Sequence, residues 1–245
     1  MNIVLKKLGS RLARFLTRPR TLYEQFSVLT QEQLDQSLEP GDLILVEGNS
    51  RVSTAIKYLT QSTWSHVCMY VGMQEDGQGY VVEADLVEGV IRSPVSKYVG
   101  HNLRICRPYR LSEQDRQAIV QFVQARIGYR YDTRNIVDLV RYLVPTPPVP
   151  SQYRRYLIAL GSGDPTLAIC STLIAQAFQS VRYPILPQHL KVCQGDAPGH
   201  CDEVLLESTH FSHFTPRDFD LSPYFEIVKP TIRGGFDYKM IRWLE

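Results

Sequence analysis

The feature that most constrains the fold is a series of short apolar segments, separated by turn residues, in the first half of the chain. The segments occupy residues 43–46, 65–72, 80–84, 89–91 and 103–107. Their lengths, and the glycines and prolines between them, are typical of strands, and Gly77-Gln78-Gly79 predicts a hairpin turn. The first half is therefore predicted to form a compact antiparallel sheet.

Helical periodicity dominates the second half, where apolar residues recur at three- and four-residue steps. Helices are predicted at 112–127, 133–143, 151–160 and 166–181, and a late strand at 225–228. Two earlier helices are predicted, one within 27–39 and one at 51–61. Because strands and helices are largely segregated along the chain, the predicted fold class is α+β.

The basic residues are unevenly distributed, although the formal net charge is only +2. Residues 1–20 hold several lysines and arginines and no acidic residue, so the remainder is mildly acidic. Residues 3–18 predict an amphipathic helix with an apolar stripe and a basic stripe, which suits either an anionic membrane surface or packing on its own domain. We therefore divide the chain into a basic arm, 1–38, and a domain, 39–245. Nucleic acid is not an expected partner, since the positive charge is confined to the arm.

The cysteines and the N-terminus favour a reducing compartment. There are five cysteines, which is an odd number, and their spacing contains no CxxC pair. Cys68 and Cys106 lie inside apolar runs and are predicted to be core residues. The chain begins without an apolar signal segment and contains no window of 18 apolar residues. A cytoplasmic location is expected. If the helix at 3–18 binds membrane instead of packing on its own domain, the protein would lie on the inner face of the membrane.

Three residues have the chemistry of a nucleophile, a base and an orienting acid. Cys170 lies in the first turns of an apolar helix, where backbone N–H groups favour a thiolate. His66 lies within a strand, and Glu83 is a carboxylate within the next apolar strand, with Asp85 as the second choice. Such residues act together in cysteine hydrolases, in which imidazole activates the thiol. Taken singly, the cysteine and the histidine are also compatible with core positions.

The order of several motifs resembles the circularly permuted branch of the NlpC/P60 papain-like superfamily, the YiiX-like group. The motifs are Pro40-Gly41-Asp42-Leu43-Ile44-Leu45, Ser65-His66-Val67, Tyr70-Val71-Gly72, Val82-Glu83-Ala84, residues 128–132, Cys170-Ser171-Thr172-Leu173-Ile174 and Thr215-Pro216-Arg217-Asp218. In that group histidine and glutamate precede the cysteine, as they do here. The residue after Ser171 is usually acidic in such stretches, and here it is Thr172.

The resemblance implies a papain-like fold, in which a small antiparallel sheet packs on the helix that carries the cysteine, with helical insertions. It also implies that Cys170 is the nucleophile, His66 the base and Glu83 the orienting residue of a bacterial thiol-dependent amidase or peptidase that forms an acyl-enzyme. The substrate would be a peptide or a lipid-derived acyl group. Two alternatives stay open: lipid acyl transfer or deacylation of the lecithin–retinol acyltransferase type, and a membrane-associated binding module with a vestigial site.

Other polar and aromatic residues are candidates for weaker roles. Trp64, Ser65, Tyr131 and Ser171 are predicted to line the substrate groove, although Trp64 also suits a packing role. The tail contains the possible metal ligands Cys193, His200, Cys201, His210 and His213. Their spacing fits no standard zinc frame, so no metal is predicted. No phosphate-binding glycine motif occurs, and no cofactor is expected.

Overall fold

The computed structural model describes residues 29–130, 169–186, 190–192, 204–206 and 209–233, together with residues 235, 237 and 239. The helices predicted at 3–18, 133–143 and 151–160 lie outside these residues. So do Tyr131, Cys193, His200 and Cys201 among the candidate site residues. The proposed boundary between an arm and a domain at residue 38 stays a prediction.

In the described part of the chain, six antiparallel strands form the main sheet, in the order β4-β3-β2-β1-β5-β8. The strands are β1 Leu43–Val46, β2 His66–Met73, β3 Gly79–Asp85, β4 Gly89–Pro94, β5 Leu103–Pro108 and β8 Phe225–Val228. Two short strands, β6 Leu190–Val192 and β7 Val204–Leu206, pair separately. The antiparallel sheet predicted from residues 43–107 is present, and β8 extends it by one strand.

Six α-helices and two 3₁₀ helices accompany the strands within the described residues. The helices are α1 Gln31–Ser37, α2 Arg51–Thr60, α3 Glu113–Gln124, α4 Ile169–Ser180, α5 Pro216–Leu221 and α6 Pro230–Arg233. The 3₁₀ helices are Val95–Tyr98 and Phe211–His213. Side-chain caps begin several of them: Thr30 closes a capping box on α1, and Ser112 accepts from the Asp115 N–H at the start of α3. The α+β fold class is confirmed.

The alternation of side chains along the central strands divides the core into two layers. On one face, Val67 and Met69 pack in a buried cluster with Ile174 and Phe178 of α4. On the opposite face, residues such as Cys68 contribute to a second cluster that α1 and the 3₁₀ helix Val95–Tyr98 cover. The helix that carries Cys170 therefore packs directly on the strand that begins with His66, as the resemblance implied. No helix in the described ranges is both long enough and apolar enough to cross a bilayer.

The chain that follows α3 pairs with the edge strand β4. The Val90 N–H donates to the Tyr129 carbonyl oxygen at 2.9 Å, and the Gly128 N–H donates to the Val90 carbonyl oxygen at 2.8 Å. Gly89 has a φ of +86°, and a Cβ added there would overlap the Tyr129 carbonyl oxygen. The backbone of residues 128 and 129 can therefore approach β4 closely, because residue 89 has no side chain.

Gly89→Ala is expected to destabilise the protein by at least about 2 kcal/mol. The alanine would be strained at a positive φ, and its Cβ would also overlap the Tyr129 carbonyl oxygen. Gly77→Ala is the matched control, since Gly77 has a φ of +73° but open space around its Cα. Strain alone should cost that variant about 1 kcal/mol. Urea unfolding measures both losses, and equal values would mean that the contact between residue 129 and β4 contributes no stability.

Candidate active site

His66 and Glu83 form an ion pair across neighbouring strands. His66 begins β2 and Glu83 lies in β3, and His66 Nε2 is 2.9 Å from Glu83 Oε2. The glutamate side chain is only 3% exposed, whereas that of the histidine is 23% exposed. Because an ionised carboxylate only accepts hydrogen bonds, the Nε2 atom of His66 carries the proton in this pair.

Two further donors bind the same carboxylate, and neither was among the residues predicted from the sequence. Lys97 Nζ is 2.5 Å from Glu83 Oε1, and Tyr98 Oη donates to Glu83 Oε2 at 2.6 Å. Burial raises the pKa of Glu83, but the hydrogen bonds and positive charges of His66 and Lys97 outweigh it and hold the pKa well below its usual range. A buried carboxylate needs such partners. That requirement was the available sequence signal, although it did not say which residues would meet it.

Cys170 is the second residue of α4, and its thiol is the second hydrogen-bonding partner of the His66 side chain. Since Glu83 binds Nε2, the Nδ1 atom is the imidazole nitrogen left for the sulfur. The backbone at Val67 and at Ser171 also helps to lower the pKa of the Cys170 thiol, against the effect of burial. The cysteine is buried, with 7% of its surface exposed. The sulfur thus lies where the start of α4 meets the start of β2.

The electrostatics of this group favour a charged sulfur and a charged imidazole. Burial raises the pKa of Cys170, but the hydrogen bond and charge of His66 outweigh it, so that the pKa is lower than that of an ordinary thiol. Burial lowers the pKa of His66, yet its bonds to Cys170 and Glu83 raise it to about 10. The two titrations are coupled, and their pKa values belong to the pair. Both shifts favour a thiolate beside an imidazolium.

The second-choice acid, Asp85, has a different role. Its Oδ1 atom accepts from the backbone N–H groups of Val87 and Glu88, at 2.7 and 2.9 Å. These contacts close the turn between β3 and β4. Of the two acids considered, Glu83 is therefore the one bonded to His66.

A C-terminal segment, residues 214–220, connects the strand of the histidine to the helix of the cysteine. Ser171 Oγ donates to the Phe214 carbonyl oxygen at 2.5 Å, next to Cys170. Trp64 Nε1 donates to Asp220 Oδ2 at 3.0 Å, two residues before His66. Arg217 Nη1 donates to the Thr60 carbonyl oxygen at the end of α2, at 3.0 Å. The Thr215–Asp218 motif is therefore part of a bridge between the two halves of the site.

Three of the four residues predicted to line a substrate groove lie in the described part of the chain, and they are engaged within the fold. Trp64 and Ser171 make the bonds just described, and Ser65 Oγ accepts from the Gly48 N–H at 3.0 Å. All three residues are buried. Their contact with substrate stays a prediction.

The possible metal ligands of the tail include His210 and His213, whose rings are 5.9 Å apart. Over the residues that the structure describes, no group of three or more histidine, cysteine or acidic side chains could hold a metal ion. His210 Nδ1 instead lies 2.7 Å from Ser212 Oγ.

Comparison with known proteins adds a family to this geometry. Residues 37–142 match the family model described as permuted papain-like amidase enzyme, YaeF/YiiX, C92 family. This part of the chain is of the permuted papain-like type. The match includes His66 and Glu83 and ends before Cys170. The resemblance drawn from the order of the motifs is confirmed, and the family is one of amidases.

The crystal structure of the metalloprotein yiiX from Escherichia coli O157:H7 is similar, with 19% sequence identity and a TM-score of 0.49. The alignment covers 79% of this chain and 97% of that chain. No curated protein matches the chain.

Proposed function

We propose that this permuted papain-like protein is a cysteine amidase in which Cys170 is the nucleophile, His66 the acid and base, and Glu83 the orienting carboxylate. The observation that carries the proposal is that one side chain, His66, interacts with both the Cys170 thiol and the buried Glu83 carboxylate. Nucleophile, base and orienting group in this sequence are the arrangement that covalent acyl transfer requires.

In the proposed reaction the thiolate attacks the carbonyl carbon of an amide, and the electrons of the C=O bond move onto oxygen. The backbone N–H of Cys170 would stabilise this oxyanion at the start of α4. As the C–N bond breaks, the imidazolium of His66 gives its proton to the leaving amine, and a thioester remains on Cys170. Neutral His66 then takes a proton from water, which attacks the thioester and releases the carboxylic acid and the thiolate.

Cys170 is expected to react with iodoacetamide at neutral pH before either of the buried cysteines on the sheet. Burial raises the pKa of Cys68 far above its ordinary value and that of Cys106 to about 12, whereas the pKa of Cys170 is lowered. Because only the thiolate is alkylated, the rate at Cys170 should be at least about 100-fold higher. Peptide mapping of timed samples measures this order.

His66→Ala is the matched variant for the same assay, since it should slow alkylation of Cys170 without changing Cys106. If wild-type Cys170 reacts no faster than Cys106, the enzymatic proposal loses its basis.

The acyl group of the substrate is identified by incubating wild type and Cys170→Ala with peptide amides and with lipid extracts. Depletion of lipids instead of amides, in wild type alone, would replace amide hydrolysis by lipid deacylation.

A further inference from the structure

Lys97 occupies the oxygen of Glu83 that His66 does not use. Its Nζ atom binds Oε1, while His66 and Tyr98 share Oε2. The carboxylate is thus held at both oxygens, and its plane is defined by partners from two different elements. Without Lys97, His66 and Tyr98 would hold the carboxylate only at Oε2.

The position of Lys97 follows from the 3₁₀ helix in which it lies. Val95 and Tyr98 anchor this helix, because their side chains are 0% and 4% exposed within the second core layer. Lys97 lies between them, with 43% of its side chain exposed and its Nζ atom 5.4 Å from the centre of the Tyr98 ring. One short element therefore supplies both of the donors that supplement His66.

Lys97 also balances the charge of the group. In the active form proposed above, the thiolate of Cys170 and the carboxylate of Glu83 are two negative charges, and the imidazolium of His66 is one positive charge. The ammonium of Lys97 makes the sum zero. An ion pair between exposed groups contributes little, but here one partner is a buried carboxylate, and charges near buried groups are poorly screened.

The titratable groups around this pair come from several elements. They are His66 and Cys68 of β2, Cys170 of α4, Tyr98 of the 3₁₀ helix and His101 of the loop that follows it. From β4, the residue opposite Glu83 is Ile91, which carries no charge. Within this described surrounding, Lys97 and His66 are the cations that bind Glu83 directly.

We propose that Lys97 is a positioning residue of the amidase, which acts through Glu83 to hold the carboxylate on His66 and to favour the thiolate of Cys170. This inference rests on the proposed function. It assigns no contact between Lys97 and the reacting atoms. Its signature is a shift in the ionisation of Cys170 when the positive charge at residue 97 is removed.

The test is the pH dependence of Cys170 alkylation in Lys97→Met, Lys97→Arg and wild type. Removal of a neighbouring positive charge raises the pKa of an acid, so the onset of alkylation in Lys97→Met should move to higher pH. At a pH on the rising part of the wild-type curve, we expect a rate about threefold to tenfold lower. Lys97→Arg should restore the wild-type curve, because it keeps both the charge and a donor.

Lys229→Met is the matched control, since Lys229 is exposed and follows β8, three strands away from β2. A Lys97→Met curve that overlays those of wild type and Lys229→Met overturns the role of Lys97. So does a slower rate at every pH with no shift of the curve, since this would indicate a general distortion. Neither result touches the proposed function, which fails separately if wild-type Cys170 lacks preferential reactivity.

Discussion

Glu83→Gln is expected to lower amide turnover by about 10²–10³-fold while leaving the protein folded. The amide of glutamine can still accept a hydrogen bond, but it is neutral and cannot balance the imidazolium of His66. An orienting carboxylate transfers no proton itself. In a serine enzyme with a Ser-His-Asp triad, replacing the orienting aspartate by asparagine lowers turnover by about 10⁴-fold, which is the upper bound here. Turnover of a chromogenic amide measures the change.

The same variant should also narrow the pH range of activity. The bonds to Cys170 and Glu83 raise the pKa of His66 to about 10, so in the proposed reaction of the wild type the imidazolium that protonates the leaving amine would be lost above that pH. Without the charge of Glu83, this alkaline limb should move to lower pH. Asp85→Asn is the control and should be nearly silent, because Asp85 closes a turn. If Asp85→Asn loses activity while Glu83→Gln keeps it, the orienting acid is misassigned.

Arg107→Ala is expected to destabilise the protein by about 3–5 kcal/mol, which is the usual cost of leaving one partner of a buried ion pair alone. The guanidinium binds Asp42 in a bidentate manner, from Nε to Oδ1 at 2.8 Å and from Nη2 to Oδ2 at 2.6 Å. Asp42 is fully buried, and Arg107 also donates to the Ser37 carbonyl oxygen at the end of α1. Urea unfolding at neutral pH measures the loss.

Three comparisons separate this effect from a general loss of packing: the pH dependence of the loss, a double variant, and a control at an exposed ion pair. Burial raises the pKa of Asp42 while Arg107 opposes the rise, so removal of Arg107 should raise that pKa further. A carboxyl group with a raised pKa in the folded state favours folding as pH falls, so Arg107→Ala should lose less stability in mild acid. Adding Asp42→Asn should recover part of the loss. Glu113→Gln, at a side chain that is 70% exposed, should cost less than about 1 kcal/mol. If the double variant Arg107→Ala/Asp42→Asn loses as much stability as Arg107→Ala alone, the cause is not electrostatic.

The sequence alone determined most of the secondary structure around the site, because local patterns specify it. Alternating apolar residues and glycine turns predicted β1 to β5, and β8 was predicted at residues 225–228, as observed. The apolar helix predicted at 166–181 is α4, Ile169–Ser180. The residue types needed for thiol chemistry, and their order, also identified His66, Glu83 and Cys170 as a group.

Only the tertiary structure decided which side chains meet, because contacts between distant residues depend on strand register and packing. Glu83 and Asp85 are both acids of one strand, yet one reaches His66 and the other closes a turn. Lys97 was not predicted, since nothing in a local pattern indicates that a 3₁₀ helix will bring an ammonium to a carboxylate 14 residues away. Asp42 and Arg107 lie 65 residues apart and meet only because the sheet places the start of β1 beside the end of β5.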